Sequence, residues 1–226
     1  MKYHYDELNR NPFESHMLAI DSIKSNTSIL DIGCATGYFA KELAKKGCET
    51  YGVDKDRIAL KKASKYCKEV IQCDLDNIKI CHAPKKHFDY VLMLDVLEHL
   101  QNPKLAISQV GKFLKKDGRL VVSVPNIAHA SIRWGLLKGD FDYTNTGILD
   151  STHVHFYTLK SISRLLEKEG FRILKIKPTN GMCKVPFLYK ITDRLPATWQ
   201  YKLVQKFPNL FAYQFIIISR PIKPLK

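Results

Sequence analysis

Short apolar runs alternate along the chain with segments in which apolar residues recur at helical spacing. Residues 28–32 form the first run, rich in β-branched side chains, and a glycine cluster follows it directly. Such a run is typical of a buried strand that enters a tight turn. From Phe39 to Ala44 the apolar positions follow helical spacing, and Gly47 can end the helix. The pattern predicts a strand, a turn and a helix that crosses back over a sheet.

This unit repeats through the first half of the chain. The further strands that the pattern predicts are 50–54, 69–74, 88–94 and 119–124. Strands and helices that alternate at this length predict a parallel sheet with right-handed crossovers. Such sheets bind their ligands at the carboxyl ends of the strands. We therefore expect the chemistry to follow Ile32, Val53, Cys73, Leu94 and Val124.

The remaining segments have weaker patterns. A helix is predicted from Pro103 onward, and its buried face is expected at Leu105, Ile107, Val110 and Leu114. Residues 125–158 carry no regular period and are predicted as loop or short helix beside the site. Beyond them we expect a helix at 161–169 and strands at 171–176 and 213–218.

The length of 226 residues predicts one domain. Residues 1–27 are expected to form an N-terminal helical cap. Residues 28–124 are expected to form the cofactor-binding half, and residues 125–226 to carry the substrate loop and the last strands.

The turn after the first strand carries candidate chemistry. Gly33 and Gly37 allow the backbone to turn sharply and to approach a ligand closely, while the following helix presents unpaired N–H groups to an anion. A dinucleotide fingerprint would need a further glycine at position 38, which is Tyr38. The turn therefore indicates a nucleotide-like ligand other than a dinucleotide.

Carboxylates follow the next three strands. Asp54 ends the second strand, where it can accept hydrogen bonds from both hydroxyls of a ribose. Asp74, after the third strand, is placed to accept from an adenine amino group, with Leu75 against the ring. Asp95, after the fourth strand, is expected near the amino acid end of the same ligand. Any one of these acids could be a turn residue, but their ordered recurrence favours a binding site.

Together these stretches resemble the class I, Rossmann-like S-adenosylmethionine-dependent methyltransferases over nearly the whole chain. The matching segments are ILDIGCATGYFAKELA, TYGVDKD, VIQCDLDN and FDYVLMLDVLEHLQNP, followed by LKKDGRLVVSVPN. The resemblance implies a seven-stranded, mostly parallel α/β sheet of order 3-2-1-4-5-7-6, with an antiparallel last strand and helices on both faces. It implies S-adenosylmethionine as cofactor, held by Asp31, Gly33, Cys34, Ala35, Gly37, Asp54, Lys55, Asp74, Leu75, Asp95 and Val96. The family usually has a third glycine at the position of Ala35.

The second half resembles a particular branch of that family. The stretch PNIAHASIRWGLLKGDFDYTNTGILDSTHVHFYT is similar to enzymes associated with bacterial surface-polysaccharide and nucleotide-sugar modification. This resemblance implies O-methylation of a sugar, nucleotide sugar or glycan. A quinone-type or lipid small molecule and RNA are alternative acceptors, and a non-catalytic protein that binds S-adenosylmethionine for a partner enzyme is the alternative outside enzymes.

His153 is the first candidate for a general base. It follows Asp150 in the predicted substrate loop, and its imidazole titrates near neutral pH. The alternative is a histidine that orders its loop. His155 and His129 are weaker candidates, and His99 is expected to pack the turn after the fourth strand. No metal is expected, because Asp150, His153 and His155 form only a local cluster without a supporting ligand elsewhere.

Composition and charge bound the protein class and its partners. Apolar residues make up 45% and charged residues 26%, as in soluble globular proteins. The net charge of +14 favours anionic partners, and half of that excess lies in residues 178–226. Peripheral membrane contact through this basic region is one option, whereas no added RNA-binding module accompanies it. The oligomeric state does not follow from the sequence.

The N-terminal sequence and the spacing of the cysteines predict a cytoplasmic protein. The N-terminal residues lack an apolar core of signal-peptide length, and no run approaches the length of a membrane span. The six cysteines show no CxxC spacing, so we expect reduced thiols rather than a zinc site or a disulfide framework.

Overall fold

A single sheet of seven strands organises the protein. The computed structural model describes residues 8–76, 87–182, 185, 192 and 194–222. The strands are β1 Ser28–Ile32, β2 Glu49–Asp54, β3 Glu69–Gln72, β4 Phe88–Leu94, β5 Leu114–Pro125, β6 Phe171–Asn180 and β7 Ala212–Pro221. Their order across the sheet is β3-β2-β1-β4-β5-β7-β6. β7 is antiparallel to both of its neighbours, and β1 to β5 pair in parallel. The predicted fold class and strand order are confirmed.

Helices flank the sheet in the described part of the chain. They are α1 Ser15–Ile20, α2 Tyr38–Ala44, α3 Arg57–Ala63, α4 Pro103–Gly111, α5 Ala130–Leu137, α6 Leu159–Lys168, α7 Ala197–Lys206 and α8 Pro208–Phe211, with a 3₁₀ turn at Leu97–His99. α1 lies within the predicted N-terminal cap, and α5 within the segment predicted as loop or short helix. α7 and α8 are absent from the sequence prediction. Among the described residues, no helix combines the length and the apolar character that crossing a bilayer requires.

Both faces of the sheet are covered by apolar packing. All five residues of β1 are buried. Leu30 and Ile32 belong to one core cluster, whereas Ile29 belongs to the cluster on the opposite face together with Phe39 and Leu43 of α2. Because successive side chains of a strand point to opposite faces, a strand buried on both faces needs a continuous apolar run. Burial on both faces therefore explains the continuous apolar runs from which the central strands were predicted.

The end of α4 and the start of β5 differ from the prediction. Leu114 was expected on the buried face of the helix, but α4 ends at Gly111 and β5 begins at Leu114. Leu114 pairs with Phe88 of β4, and a register shift between Phe88 and Tyr90 accommodates the extra residues. A buried leucine satisfies the apolar pattern of either element, so periodicity alone could not separate the two.

The cysteines follow the prediction only in part. Cys34, Cys48 and Cys67 are free and buried. Cys73, however, takes part in a disulfide, so the expectation of reduced thiols throughout is wrong at this position. Cys81 and Cys183 lie outside the described residues.

Substitution of Gly37 tests how closely α2 packs against α3. Its φ is +77°, and a Cβ there would lie 2.8 Å from the Cα of Ala63. Gly139 has a similar φ of +83° but no atom within 4 Å of the added Cβ. We expect Gly139→Ala to lower the free energy of unfolding by about 1–2 kcal/mol through backbone strain alone. Gly37→Ala should cost roughly 1–3 kcal/mol more, because the helices must move apart. Urea denaturation followed by circular dichroism measures both losses, and equal losses would contradict the close approach.

Candidate active site

The turn after β1 is fastened to the end of β2. The backbone N–H groups of Gly33 and Cys34 donate to the carbonyl of Val53 at 2.7 and 3.0 Å. The N–H of Ala35 donates to the Asp54 carboxylate at 2.9 Å. Gly33 has a φ of +77°, and a Cβ there would meet the Val96 side chain at 2.7 Å. The turn therefore needs glycine at this position and holds its shape through the end of the neighbouring strand.

Asp54 also has acceptor capacity to spare. One carboxylate oxygen accepts from Ala35 N–H and the other accepts from Asp56 N–H at 2.9 Å. Each carboxylate oxygen has two lone pairs, so one on each remains for further donors. Asp54 is buried but lines a cavity. This arrangement fits a ligand that presents two adjacent hydroxyls, as a ribose does.

A cavity of about 630 Å³ runs along the carboxyl ends of the strands. This volume lies in the range of small-molecule sites. Eight of the predicted cofactor residues line it: Gly33, Ala35, Asp54, Lys55, Asp74, Leu75, Asp95 and Val96. The structure thus brings together carboxylates from the ends of β2, β3 and β4 at one site.

Three predicted cofactor residues do not line this cavity. Asp31 is buried, and one of its carboxylate oxygens has no hydrogen-bond partner within the described part of the chain. The sulfur of Cys34 faces Gly52 and Cys67 instead of the cavity, and Gly37 packs against α3. All three residues lie in or next to the turn, as the motif predicts. They pack against the protein interior or α3, however, and not against the cavity.

Asp95 lines the cavity and belongs to a network of hydrogen bonds. It has a φ of +54°, in the region that non-glycine residues rarely adopt. Its carboxylate accepts from the hydroxyl of Ser123 at 2.5 Å and from the side-chain amide of Gln214 at 3.0 Å. His16, from α1, also lines the cavity, and burial lowers the pKa of its imidazole, with Asp95 acting in the opposite direction.

His153 lines the cavity, and a backbone carbonyl orients its ring. Its Nδ1 lies 3.0 Å from the carbonyl oxygen of Ile148. Because a carbonyl can only accept, Nδ1 donates and the neutral ring leaves Nε2 with a lone pair. The general-base role stays a prediction. His129 and His155, the weaker candidates, are not among the residues that line the cavity.

His99 and Glu98 lie beside His153. His99 lies in the turn after β4, where it was expected, and it also lines the cavity. Its Nδ1 lies 3.2 Å from the carbonyl oxygen of Thr152, and its ring centroid is 4.8 Å from that of His153. Burial lowers the pKa of His99, and the charge of His153 adds to this effect. Glu98 is 1% exposed, and burial followed by repulsion from Asp95 raises its pKa well above the usual range.

Most of the chain matches a known protein family. A sequence model described as a methyltransferase domain matches residues 4–176. The chain belongs to the methyltransferase domain family. The cofactor of this methyltransferase is S-adenosylmethionine, and the spare acceptors of Asp54 beside the glycine turn fit its ribose.

Curated relatives of this methyltransferase include ubiquinone biosynthesis O-methyltransferases. The protein of that name from Alkalilimnicola ehrlichii is 27% identical over 117 residues, which cover 50% of this chain and 47% of the relative. The Rickettsia akari protein is 26% identical over 185 residues, which cover 77% of this chain and 70% of the relative. The chain thus spans about half the length of the first and about two thirds of the second. These relatives do not confirm the glycan-modifying branch.

Solved structures agree on the fold. An S-adenosylmethionine-dependent methyltransferase from Archaeoglobus fulgidus superposes with a TM-score of 0.62 at 21% identity and covers 91% of this chain and 94% of its own. A possible histamine N-methyltransferase from Thermotoga maritima gives a TM-score of 0.60 at 19% identity, with 92% and 88% covered. At such identities the likeness shows the fold of the methyltransferase alone.

Sequence reasoning missed several residues of the site. Glu98, His16 and Gln214 line the cavity but were not candidates. His16 and Gln214 arrive from α1 and β7, far from the cofactor motifs in sequence, so only the tertiary fold reveals them. Glu98 directly precedes His99, and a carboxylate beside a histidine after a central strand was the available signal.

Burial of Asp31 predicts a particular pH dependence of stability. Burial, reinforced by the charge of Asp54, raises the pKa of Asp31 to about 7 in the folded protein. The folded state therefore binds a proton more tightly than the unfolded chain, and the protein loses stability as pH rises from about 4 to 7. Asp31→Asn removes this titration. We expect its melting temperature relative to the native chain to rise by a few °C, on the order of 1–2 kcal/mol, between pH 5 and pH 8.

Differential scanning calorimetry without cofactor measures this difference. Asp117→Asn, which changes an exposed carboxylate in β5, is the matched control and should show no comparable rise. A melting difference for Asp31→Asn that stays constant with pH would show that Asp31 is ionised in the folded protein.

Proposed function

We propose that this methyltransferase transfers the methyl group of S-adenosylmethionine to a hydroxyl of a small, quinone-type aromatic molecule. One observation carries the proposal: a single cavity is lined both by the carboxylates of Asp54 and Asp74 and by the imidazoles of His99 and His153. We assign the carboxylates to the adenosyl group, as the donor end of the site, and the imidazoles to the hydroxyl, as its acceptor end. The similarity to ubiquinone biosynthesis O-methyltransferases supports the choice of acceptor over the sugar or glycan favoured by the sequence resemblance.

At the donor end, each carboxylate has a role in binding. Asp54 accepts from the ribose hydroxyls through its remaining lone pairs, and charge-assisted bonds of this kind contribute roughly 1.5–3 kcal/mol each. Asp74 accepts from the adenine amino group, and Leu75 packs against the ring. Asp95 binds near the methionine end, where Ser123 and Gln214 hold its carboxylate in place. When bound, S-adenosylmethionine supplies a sulfonium methyl group, whose C–S bond breaks with its electron pair left on sulfur.

At the acceptor end, the protein positions and activates the hydroxyl. In-line placement of the oxygen supplies much of the acceleration in such transfers. His153 faces the hydroxyl from the wall of the cavity, and in the neutral ring the bond from Nδ1–H to the Ile148 carbonyl leaves the lone pair of Nε2 to accept from it. The hydroxyl proton leaves to solvent as the new C–O bond forms. Leu100, Pro125 and Tyr213 line the same cavity and could contact the face of an aromatic ring.

The basic C-terminal region lies apart from this chemistry. Of its basic residues the structure describes Arg194, Lys202, Lys206 and Arg220, and none of these four lines the cavity. Lys202 lies over the ring of Trp199, which is 63% exposed on α7. Peripheral membrane contact remains a proposal for this region, and the exposed aromatic beside a lysine supports it. RNA as the acceptor lacks a comparable observation.

A panel of acceptors tests the proposed function. Purified protein is incubated with methyl-labelled S-adenosylmethionine and with catechols and hydroxyquinones, nucleotide sugars, or RNA. We expect label in the phenolic acceptors. His153→Ala should lower the rate constant by roughly 10²-fold at unchanged cofactor affinity, since the activating group is lost. The matched control is His155→Ala, in the same loop but outside the cavity, which should retain the rate.

Two outcomes would contradict the proposal. Label in nucleotide sugars alone would return the acceptor to the glycan class. Cofactor binding without transfer to any acceptor would favour a partner protein that binds S-adenosylmethionine without catalysis.

A further inference from the structure

Three side chains at the acceptor end have the composition of a metal site. Glu98, His99 and His153 each offer one ligand atom, and these atoms lie within 4.8 Å of one another in the cavity wall. We propose that this trio binds one divalent cation of the zinc type. Cation binding by these residues is independent of the acceptor, whereas the role of the cation at the acceptor oxygen rests on the proposed function.

Glu98 gives the first independent reason. Its side chain is 1% exposed, and neither carboxylate oxygen has a hydrogen-bond partner among the residues that the structure describes. Buried polar groups in proteins are nearly always hydrogen-bonded, and a buried charge is paired or coordinates a metal. Both oxygens of Glu98 thus lack the partner that a cation would supply.

The two imidazoles give the second reason. His153 donates its Nδ1–H to the carbonyl of Ile148, and His99 donates its Nδ1–H to the carbonyl of Thr152. Each neutral ring therefore keeps an unprotonated Nε2. Histidines that bind metals almost always donate their other ring N–H to a carbonyl or carboxylate in this way, which fixes the tautomer and the ring orientation.

The fold holds the three ligands together across more than 50 residues of sequence. The carbonyl of Glu98 accepts from the N–H groups of Val154 and His155 at 2.8 and 3.1 Å. These bonds fasten the loop that carries His153 to the 3₁₀ turn that carries Glu98 and His99. The sequence offered Asp150, His153 and His155 as a local trio, but only His153 of these belongs to the cluster.

The ligand set also points to the class of cation. Two imidazoles and one carboxylate suit Zn²⁺ and related transition ions, while Mg²⁺ and Ca²⁺ prefer oxygen ligands alone. Three protein ligands leave at least one coordination position for a small molecule from the cavity. A cation there would lower the pKa of a bound hydroxyl and so ease the loss of its proton to water as the C–O bond forms. With the cation bound, Nε2 of His153 would coordinate it, and His153 would act on the hydroxyl through the cation.

Metal titrations test the site without cofactor or acceptor. The full chain is stripped with a chelator and titrated with Co²⁺, followed by visible absorption, and with Zn²⁺, followed by calorimetry. We expect one equivalent to bind. Glu98→Gln, which preserves size, and His153→Ala should each weaken this binding at least tenfold. His155→Ala, the matched histidine control, should bind as the native chain does.

Three outcomes decide the proposal. Binding of S-adenosylmethionine by each variant, measured separately, shows that its fold is intact. Absence of a cation equivalent in the native chain, or equal affinity in Glu98→Gln, His153→Ala and the native chain, would overturn the metal site. A cation that binds as expected while no phenolic acceptor is methylated would uphold the metal site and refute the proposed acceptor.

Discussion

The carboxylate of Asp54 ties the loop after the first strand to the end of the second. It accepts the N–H of Ala35, while the preceding carbonyl of Val53 accepts two further N–H groups from the same loop. Parallel pairing of β1 with β2 brings these groups to one edge of the sheet. These bonds shape the turn at this edge of the cavity, where Gly33 also packs closely against Val96.

A second junction shapes the part of the cavity that we propose for the acceptor. The carbonyl of Glu98 accepts two N–H groups from the loop that carries His153, so the loop lies over the carboxyl end of β4. The cavity therefore has one wall from the sheet and another from a segment that follows β5. Both halves of the chain are needed for one site, which explains how a common cofactor edge can serve different acceptors when only the loop changes.

The fold was largely predictable because its signals are local. Continuous apolar runs marked the strands buried on both faces, and Asp54, Asp74 and Asp95 stood where those runs end. Other residues of the cavity were less predictable, since His16 and Gln214 reach it from α1 and β7 through tertiary packing. Asp31 shows a limit of prediction from motifs. The motif shows that this residue belongs next to the turn, but it does not show whether the side chain faces the ligand or the core.

Calorimetric titration of S-adenosylhomocysteine into native protein and Asp54→Asn tests the central claim most directly. The exchange keeps one acceptor oxygen and removes the charge, so we predict a loss of affinity of roughly tenfold or more with the fold retained. Asp117→Asn, at an exposed position of β5, should bind like the native protein. Equal affinity in Asp54→Asn and the native protein would contradict the assignment of this carboxylate, and of the cavity edge it organises, to the cofactor.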